Sequence, residues 1–233
     1  MRLAVISDIH SNLEALNTAF REIDSRGVDA IYCLGDIVGY GAEASPCIDI
    51  VRERCTGVVA GNHDQAVAID RGVSFLPKDA QKAVFQNREQ LSEDQLHYLA
   101  GLPLLIEEND CCFVHASPQH PASWLRIESM VVAMDQFKYF ESPVCFIGHT
   151  HIPAVMSDQL GVLRVRKGHR FLINVGSVGQ PRDQNPRLSL AFYETEAMNL
   201  DMVRLPYDTE KTIQSITNAG LPRRLGQRLK AGL

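Results

Sequence analysis

The chain has 233 residues and a net charge of −5, with 45% hydrophobic and 22% charged residues. That length favours one fairly large domain with enough apolar residues for a substantial core. The acidic balance supplies no overall basic field for nucleic acid or an anionic membrane surface, so an anionic substrate needs local attraction. The opening MRLAVISDIH is too short an apolar run for a signal-peptide core, and no later run is long enough to span a bilayer. Cytoplasm is the expected compartment, with no membrane partner, and nucleic acid is not an expected one. Cys33, Cys47, Cys55, Cys111, Cys112 and Cys145 form no C-x-x-C pair, and several sit in apolar runs. Reduced structural thiols are therefore expected, not a disulfide framework or a thiolate zinc site.

Along the chain, RLAVIS reads as a buried strand. NLEALNTAFREIDSRG reads as a helix with Leu13, Leu16, Ala19, Phe20 and Ile23 on one face and Gly27 as its stop. DAIYCLG is a second strand, SPCIDIVRERC a second helix and TGVVAG a third strand, a βαβαβ rhythm that implies parallel pairing. Residues 64–101 read as helical, with SEDQLHYLAGL opening on a capping serine and ending at Gly101. Strands dominate next, in PLLIEE, CCFVHA, PVCFIG, FLINVG, LSLAFYE and NLDMVRL, before helix returns over 208–233. With no repeat or linker, residues 1–233 read as one α/β domain.

The polar residues fall on this map in a pattern. Asp8 and His10 follow the first strand, Gly35 and Asp36 the second, and Gly61, Asn62, His63 and Asp64 the third. His115 ends CCFVHA, and Gly148, His149 and His151 follow PVCFIG. All lie at carboxyl ends of predicted strands, where open α/β sheets bind ligands. Two aspartates, an asparagine and several histidines without a cysteine suit Mn, Fe, Zn, Co or Ni. There are more ligands than one ion needs. A carboxylate such as Asp36 can bridge two ions with its two oxygens, the arrangement used for in-line phosphoryl displacement.

The blocks DIH (8–10), GDIVGYG (35–41), GNHD (61–64), VHASP (114–118) and GHTH (148–151), in this order, resemble the signature of the calcineurin-like metallophosphoesterase superfamily. NVGSVGQPRD (174–183) resembles a sixth block of its small bacterial branch, which includes YfcE-like and diadenosine tetraphosphatase-like proteins. The resemblance implies a four-layer αββα sandwich of two mixed β-sheets flanked by helices, with residues 65–103 as a helical cap. It implies two divalent ions, manganese favoured and Fe, Zn, Co, Ni or Mg compatible. One would be held by Asp8, His10, Asp36 and His151, the other by Asp36, Asn62, His115 and His149. His63 would contact the phosphate and protonate the leaving oxygen, with Asp64 orienting it. The implied activity is hydrolysis of small phosphate esters, phosphodiester or nucleotide-like, by a hydroxide held between the ions. Phosphoprotein phosphatase, diadenosine tetraphosphate hydrolase and a metal-binding scaffold without turnover stay open as alternatives.

Other residues carry weaker signals. Asn62, His63, Tyr40 and Arg182 are candidate substrate contacts, although Arg182 in PRD could equally form an internal ion pair. Gly176, Ser177 and Gly179 either bring backbone N–H groups to a ligand or form a simple turn. Trp124 could stack on a planar leaving group, but core packing is the expectation. His97, His120 and His169 are expected outside the metal set. Near the end of the chain, Leu225 and Leu229 share a helical face beside Arg223, Arg224, Arg228 and Lys230, as in an amphipathic helix docked on the domain.

Overall fold

Alternation within the first strand sets the layering. In β1 (Arg2–Ile6), Leu3 and Val5 join one apolar cluster while Ala4 and Ile6 join another, because successive side chains leave opposite faces of a strand. The computed structural model describes residues 1–162 and 164–233. It pairs β1 in parallel with β2 (Ala30–Cys33), and β2 with β3 (Gly57–Val58). Two later strands, β9 (Leu188–Glu194) and β10 (Asn199–Leu205), complete this sheet in antiparallel sense, giving the order β10-β9-β1-β2-β3. The second sheet runs β4-β5-β6-β8-β7. It is built from β4 (Leu105–Glu108), β5 (Cys111–Val114), β6 (Val144–Ile147), β7 (Ala154–Ser157) and β8 (Phe171–Asn174). Both sheets are mixed, since β5, β6 and β8 are parallel and the outer strands antiparallel.

The sheets pack face to face through Leu3, Val5 and Tyr32 on one side and Phe113, Phe146 and Ile173 on the other. Tyr32 and Phe113 stack with ring centroids 3.9 Å apart. On the outer face of the first sheet lie α1 (Leu13–Arg26) and α2 (Ala44–Arg54), through Leu16, Phe20, Ile48 and Val51. On the outer face of the second, Phe137 and Phe140 follow a short helix, Met130–Gln136, that contributes Ala133. The molecule is thus a four-layer αββα sandwich, as the resemblance implied. Asn12 caps α1 by accepting from the Ala15 N–H, and Gly27 ends it as read from the sequence.

Residues 65–103 are helical in pieces: α3 (Asn62–Ile69), a 3₁₀ turn at Val73–Phe75, α4 (Lys78–Gln90) and α5 (Glu93–Ala100). Ala66, Val67, Val84 and Leu99 join the core of the first sheet's outer face, while residues 71–77 reach a groove at the carboxyl end of the strands. The final helices, Thr209–Asn218 and Arg223–Ala231, pack through Ile216, Leu225 and Leu229 onto Ala80 and Ala83 of α4 and onto Tyr40.

Three elements differ from the sequence reading, the first being the short helix Met130–Gln136, where the sequence reading placed no element. TGVVAG pairs only at Gly57–Val58, because the Ala60 N–H is taken by the Pro103 carbonyl as the chain leaves for the groove. Strand β7 went unpredicted because its half-buried residues and short length leave no clear alternation. No cysteine is in a disulfide, and five of the six are buried. Among the described residues, no helix is long and apolar enough to cross a membrane.

Candidate metal centre and groove

Loops leaving β1, β2, β3, β5 and β6 converge as the strand-end pattern predicted. The first two run alongside each other: the Asp8 N–H donates to the Gly35 carbonyl, that of His10 to Asp36 and that of Ser11 to Ile37. This pairing holds Asp8, His10, Ser11 and Asp36 at φ of 54°, 51°, 53° and 52°, and His149 and His151 are also left-handed at 66° and 63°. Such angles are uncommon for residues with a side chain and cost about 1–3 kcal/mol each, so surrounding contacts must impose them.

Three sets of ligand-type atoms lie close enough to share an ion: Asp8, His10 and His151; His10, Asp36 and His63; and Asp36, His115 and His149. His10 Nε2 and His151 Nε2 are 3.1 Å apart, and His151 Nε2 is 3.1 Å from Asp8 Oδ1. Across the site, His115 Nε2 lies 3.1 Å from His149 Nδ1. Asp36 Oδ2 sits between the two halves, 3.6 Å from His10 Nε2 and 3.4 Å from His115 Nε2. Its Oδ1 accepts from the His63 N–H at 2.8 Å. One Asp36 oxygen thus faces both halves of the site, and the other is fixed to backbone.

The imidazoles are oriented by main-chain carbonyls. Nδ1 of His10, His115 and His151 lies 3.0, 2.7 and 2.6 Å from the carbonyl oxygens of Val38, Leu34 and Gln180. An Nδ1–H donated there leaves Nε2 as the bare, ligating nitrogen. Asp8 Oδ2 accepts from Ser7 Oγ–H at 2.6 Å and from the His149 N–H at 2.9 Å. In contrast, Asp8 Oδ1, Asn62 Oδ1 and His63 Nδ1 are buried without any partner.

Charge follows this geometry. For Asp8 and Asp36 burial opposes ionisation, but the imidazoles opposite, His151 and His115 respectively, outweigh it and hold both carboxyls below the usual range. His115 is likewise pushed down by burial yet held up at about 9, chiefly by the Asp36 charge. Burial pushes His63 down to about 4 and His149 to about 3, and it also lowers His10 and His151.

Glycines admit the close approaches. A Cβ on Gly148 would stand 2.0 Å from Ser7 Oγ and 2.4 Å from Asp8 Oδ2; one on Gly61 would stand 2.1 Å from Asp36 Oδ1. Gly148 thus serves contact between loops, while the turn itself is made at His149 and His151.

The expected Asp64–His63 pairing is not what the structure shows. Asp64 Oδ1 accepts from the Ile37 and Val38 N–H groups and Oδ2 from that of Gly61. Consecutive residues diverge by about 100° around a helix, so His63 enters the groove while Asp64 turns back to staple two loops. Burial, with the Asp36 charge adding to it, pushes its carboxyl up to about 7. The NVGSVGQPRD loop also resolves into support: the Val178 and Gly179 N–H groups donate to the Ser7 and Asp8 carbonyls, and Ser177 Oγ–H to Asp8 O. Those groups are not aimed at a ligand. Asn174, unnoticed in the sequence, donates to Gly148 O and Thr150 Oγ1 and so holds the GHTH loop.

The groove has a volume of about 390 Å³, and Asp36, Asn62, His63, His149 and His151 line it. Tyr40 and Arg182 close one side, with the guanidinium 5.5 Å over the phenol ring. Tyr40 also packs on His63, with centroids 4.6 Å apart. Arg182 bonds Gln180 Oε1, whereas Asp183 pairs with Arg204, so the internal PRD pair does not form. Trp124 lines the groove, its ring steeply inclined to that of His115 with centroids 5.8 Å apart, and does not pack in the core, where it was expected. His97 and His120 are exposed, and His169 lies near Asp158, away from the site.

The model of the calcineurin-like phosphoesterase superfamily domain matches residues 1–198. The chain belongs to this family. It is 40% identical over 242 residues to the protein MJ0912 of Methanocaldococcus jannaschii, covering 99% of this chain and 98% of the relative. Its structure is similar to the crystal structure of a metallophosphoesterase from Sphaerobacter thermophilus, with a TM-score of 0.89 and 36% identity, over 100% of this chain and 99% of that one. The protein PH1004 of Pyrococcus horikoshii shares the family fold at a TM-score of 0.81 and 20% identity, over 100% and 98% of the two chains.

Proposed function

We propose that the protein is a dimetal-dependent phosphoesterase acting on small phosphate esters. One observation carries this: Asp8 Oδ1 and Asn62 Oδ1, buried and without partners, belong to the same site as the converging imidazole nitrogens, while the remaining ring nitrogens of His10, His115 and His151 are tied to carbonyls. An unpaired buried polar atom is costly and calls for an occupant. The donor set, oxygen and imidazole without thiolate, fits Mn, Fe, Zn, Co, Ni or Mg, with manganese favoured. Asp8, His10, Asp36 and His151 would hold one ion, and Asp36, Asn62, His115 and His149 the other, with Asp36 common to both. Bound there, two divalent ions supply Lewis acidity toward phosphoryl oxygens and a water that ionises near neutral pH.

The chain's own residues do the rest. In the overall reaction a bond forms between a water oxygen and phosphorus, the ester P–O bond breaks, and the leaving oxygen ends with a proton. His63, kept neutral by burial, has one N–H to donate to a phosphoryl or leaving oxygen. Residues 71–77, within the 65–103 segment, form one wall of the groove and help select the group attached to phosphorus. With Mn²⁺, the purified protein is expected to hydrolyse bis-p-nitrophenyl phosphate, and His63→Ala or Asn62→Ala to remove most of the rate. Bound metal with no turnover on any phosphate ester would overturn the enzyme reading in favour of a scaffold.

A further inference from the structure

Above the floor just described, the groove has walls with a chemistry of their own. The turn between α3 and α4 brings Arg71 and Phe75, and the segment after β5 brings Trp124 and Arg126. Phe75 is 92% exposed, so its ring contributes nothing to the core. Trp124, the chain's single tryptophan, lies on the same groove at a left-handed φ of 55°, which a bulky residue rarely adopts. Two aromatic rings on a groove of this size suit a planar apolar group more than an aliphatic chain.

The charges point further. In a chain of net charge −5, this groove collects Arg71, Arg126 and Arg182 against a single lining carboxylate, Asp36. Asp36 faces His10 and His115. Arg126 is paired with Glu128 and Arg182 rests on the neutral Gln180 amide. Among the described residues Arg71 has no carboxylate within ion-pair distance. One reacting phosphate is already served by the floor, so guanidinium groups on the walls are in excess of what it needs. Their planar forks match a further phosphate.

We infer that the groove takes a nucleotide carrying a second phosphate besides the one that reacts, its base against Trp124 and Phe75 and its second phosphate on Arg71, with the other guanidinium groups that line the groove adding to the attraction. The placement of the reacting phosphorus rests on the phosphoesterase reading; the wall chemistry stands apart from it. Base-on-aromatic stacking of this kind is worth about tenfold or more in affinity.

The test uses metal-loaded protein and two ligands whose P–C–P bridge cannot be hydrolysed, the methylene-bridged analogue of ADP and methylenediphosphonate, which lacks the nucleoside, with binding read before any turnover at the 5′ ester. Trp124 fluorescence and competition against bis-p-nitrophenyl phosphate report binding. The nucleotide analogue is expected to quench Trp124 and to bind about tenfold more tightly than the diphosphonate. Phe75→Ala, at a position too exposed to endanger folding, is expected to erase most of that difference, and Arg71→Ala to weaken both ligands several-fold. Equal affinities for the two ligands with Trp124 unmoved would overturn the base subsite. Unchanged affinities in Arg71→Ala would overturn its role toward the second phosphate. Binding with quenching but no ester turnover would keep this inference and sink the phosphoesterase reading; turnover without nucleotide binding would do the reverse.

Discussion

Asp8, His10 and His151 form the more enclosed cluster, which meets the groove through His151 alone, whereas Asp36, His115 and His149 form one that opens on it through Asp36 and His149. In the first, every side chain is at most 2% exposed and both imidazoles are pinned through Nδ1 to main-chain carbonyls. In the second, His149 is half-exposed and presents Nδ1, and the neighbouring Asn62 is half-exposed as well. The difference separates two jobs. The more enclosed, pre-oriented cluster loses little freedom when an ion arrives, so it should retain that ion. A cluster with two half-exposed members is the one a substrate can reach, and its ion should exchange more readily. Chelator titration of the metal-loaded protein is therefore expected to remove the ions in two phases, and simultaneous loss would break the comparison.

The largest effect should come from the residue the two clusters share. Loss of an outer hydrogen-bond partner of a metal ligand typically costs about 10–100-fold in affinity. Asp36 faces both halves directly through Oδ2, so Asp36→Ala should exceed about 100-fold at both sites and abolish turnover. Next come the two histidines of GHTH. His151→Ala should cost the closed site more than tenfold and His149→Ala the open one, about one ion remaining in each by elemental analysis. Equal loss of both ions in each variant would count against the division.

Much of this site was legible in the sequence, for a definite physical reason. Strand ends are marked by apolar runs that stop, and the residues after five such runs are of metal-binding type. The layers were legible because Leu3/Val5 and Ala4/Ile6 alternate and because Leu16, Ala19, Phe20 and Ile23 repeat on a helix. What escaped the reading depends on contacts between distant segments. Nothing in GNHD says that Asp64 faces the 37–38 backbone and not His63, since both are polar neighbours on one turn. Gly176, Ser177 and Gly179 looked equally suited to a ligand because nothing local shows that the Gly179 N–H and the Ser177 hydroxyl are spent on the Asp8 carbonyl, more than 160 positions away, and the Gly176 N–H on Asn174 Oδ1. Phe75 carries no local signal at all, because exposure is a property of the folded surface.

Gly148 offers a smaller perturbation that couples the two clusters. Its absent side chain leaves room for Ser7 Oγ and Asp8 Oδ2, and Asp8 Oδ2 also accepts from the His149 N–H. In Gly148→Ala the new Cβ must displace Ser7 Oγ and Asp8 Oδ2, and with Asp8 the bond that ties it to the His149 N–H. Overpacking of this kind costs about 1–3 kcal/mol, readable as a shift in the urea midpoint at unchanged slope. If the clusters are joined through this bond, both ions should weaken together, unlike in the histidine variants.

The smallest expected effect concerns one proton. His115 is held at about 9 by Asp36 opposite it, above the ordinary imidazole value of about 6.5. In protein stripped of metal, the stability from this ion pair is fully present below about pH 6.5 and is lost as pH rises toward about 9. An ion at the open site takes the place of that proton, so the gain in thermal midpoint on adding Mn²⁺ should grow with pH across the same window. His63 and His149, pushed down to about 4 and 3, are already neutral there. Asp64, raised to about 7, is largely ionised above that pH. Between about pH 7 and 9 the slope should therefore approach one proton released per ion bound, about tenfold in affinity per pH unit at most. A metal-induced shift that stays flat over this range would show that no proton leaves His115 when the ion binds, and so that Asp36 does not hold that imidazole charged.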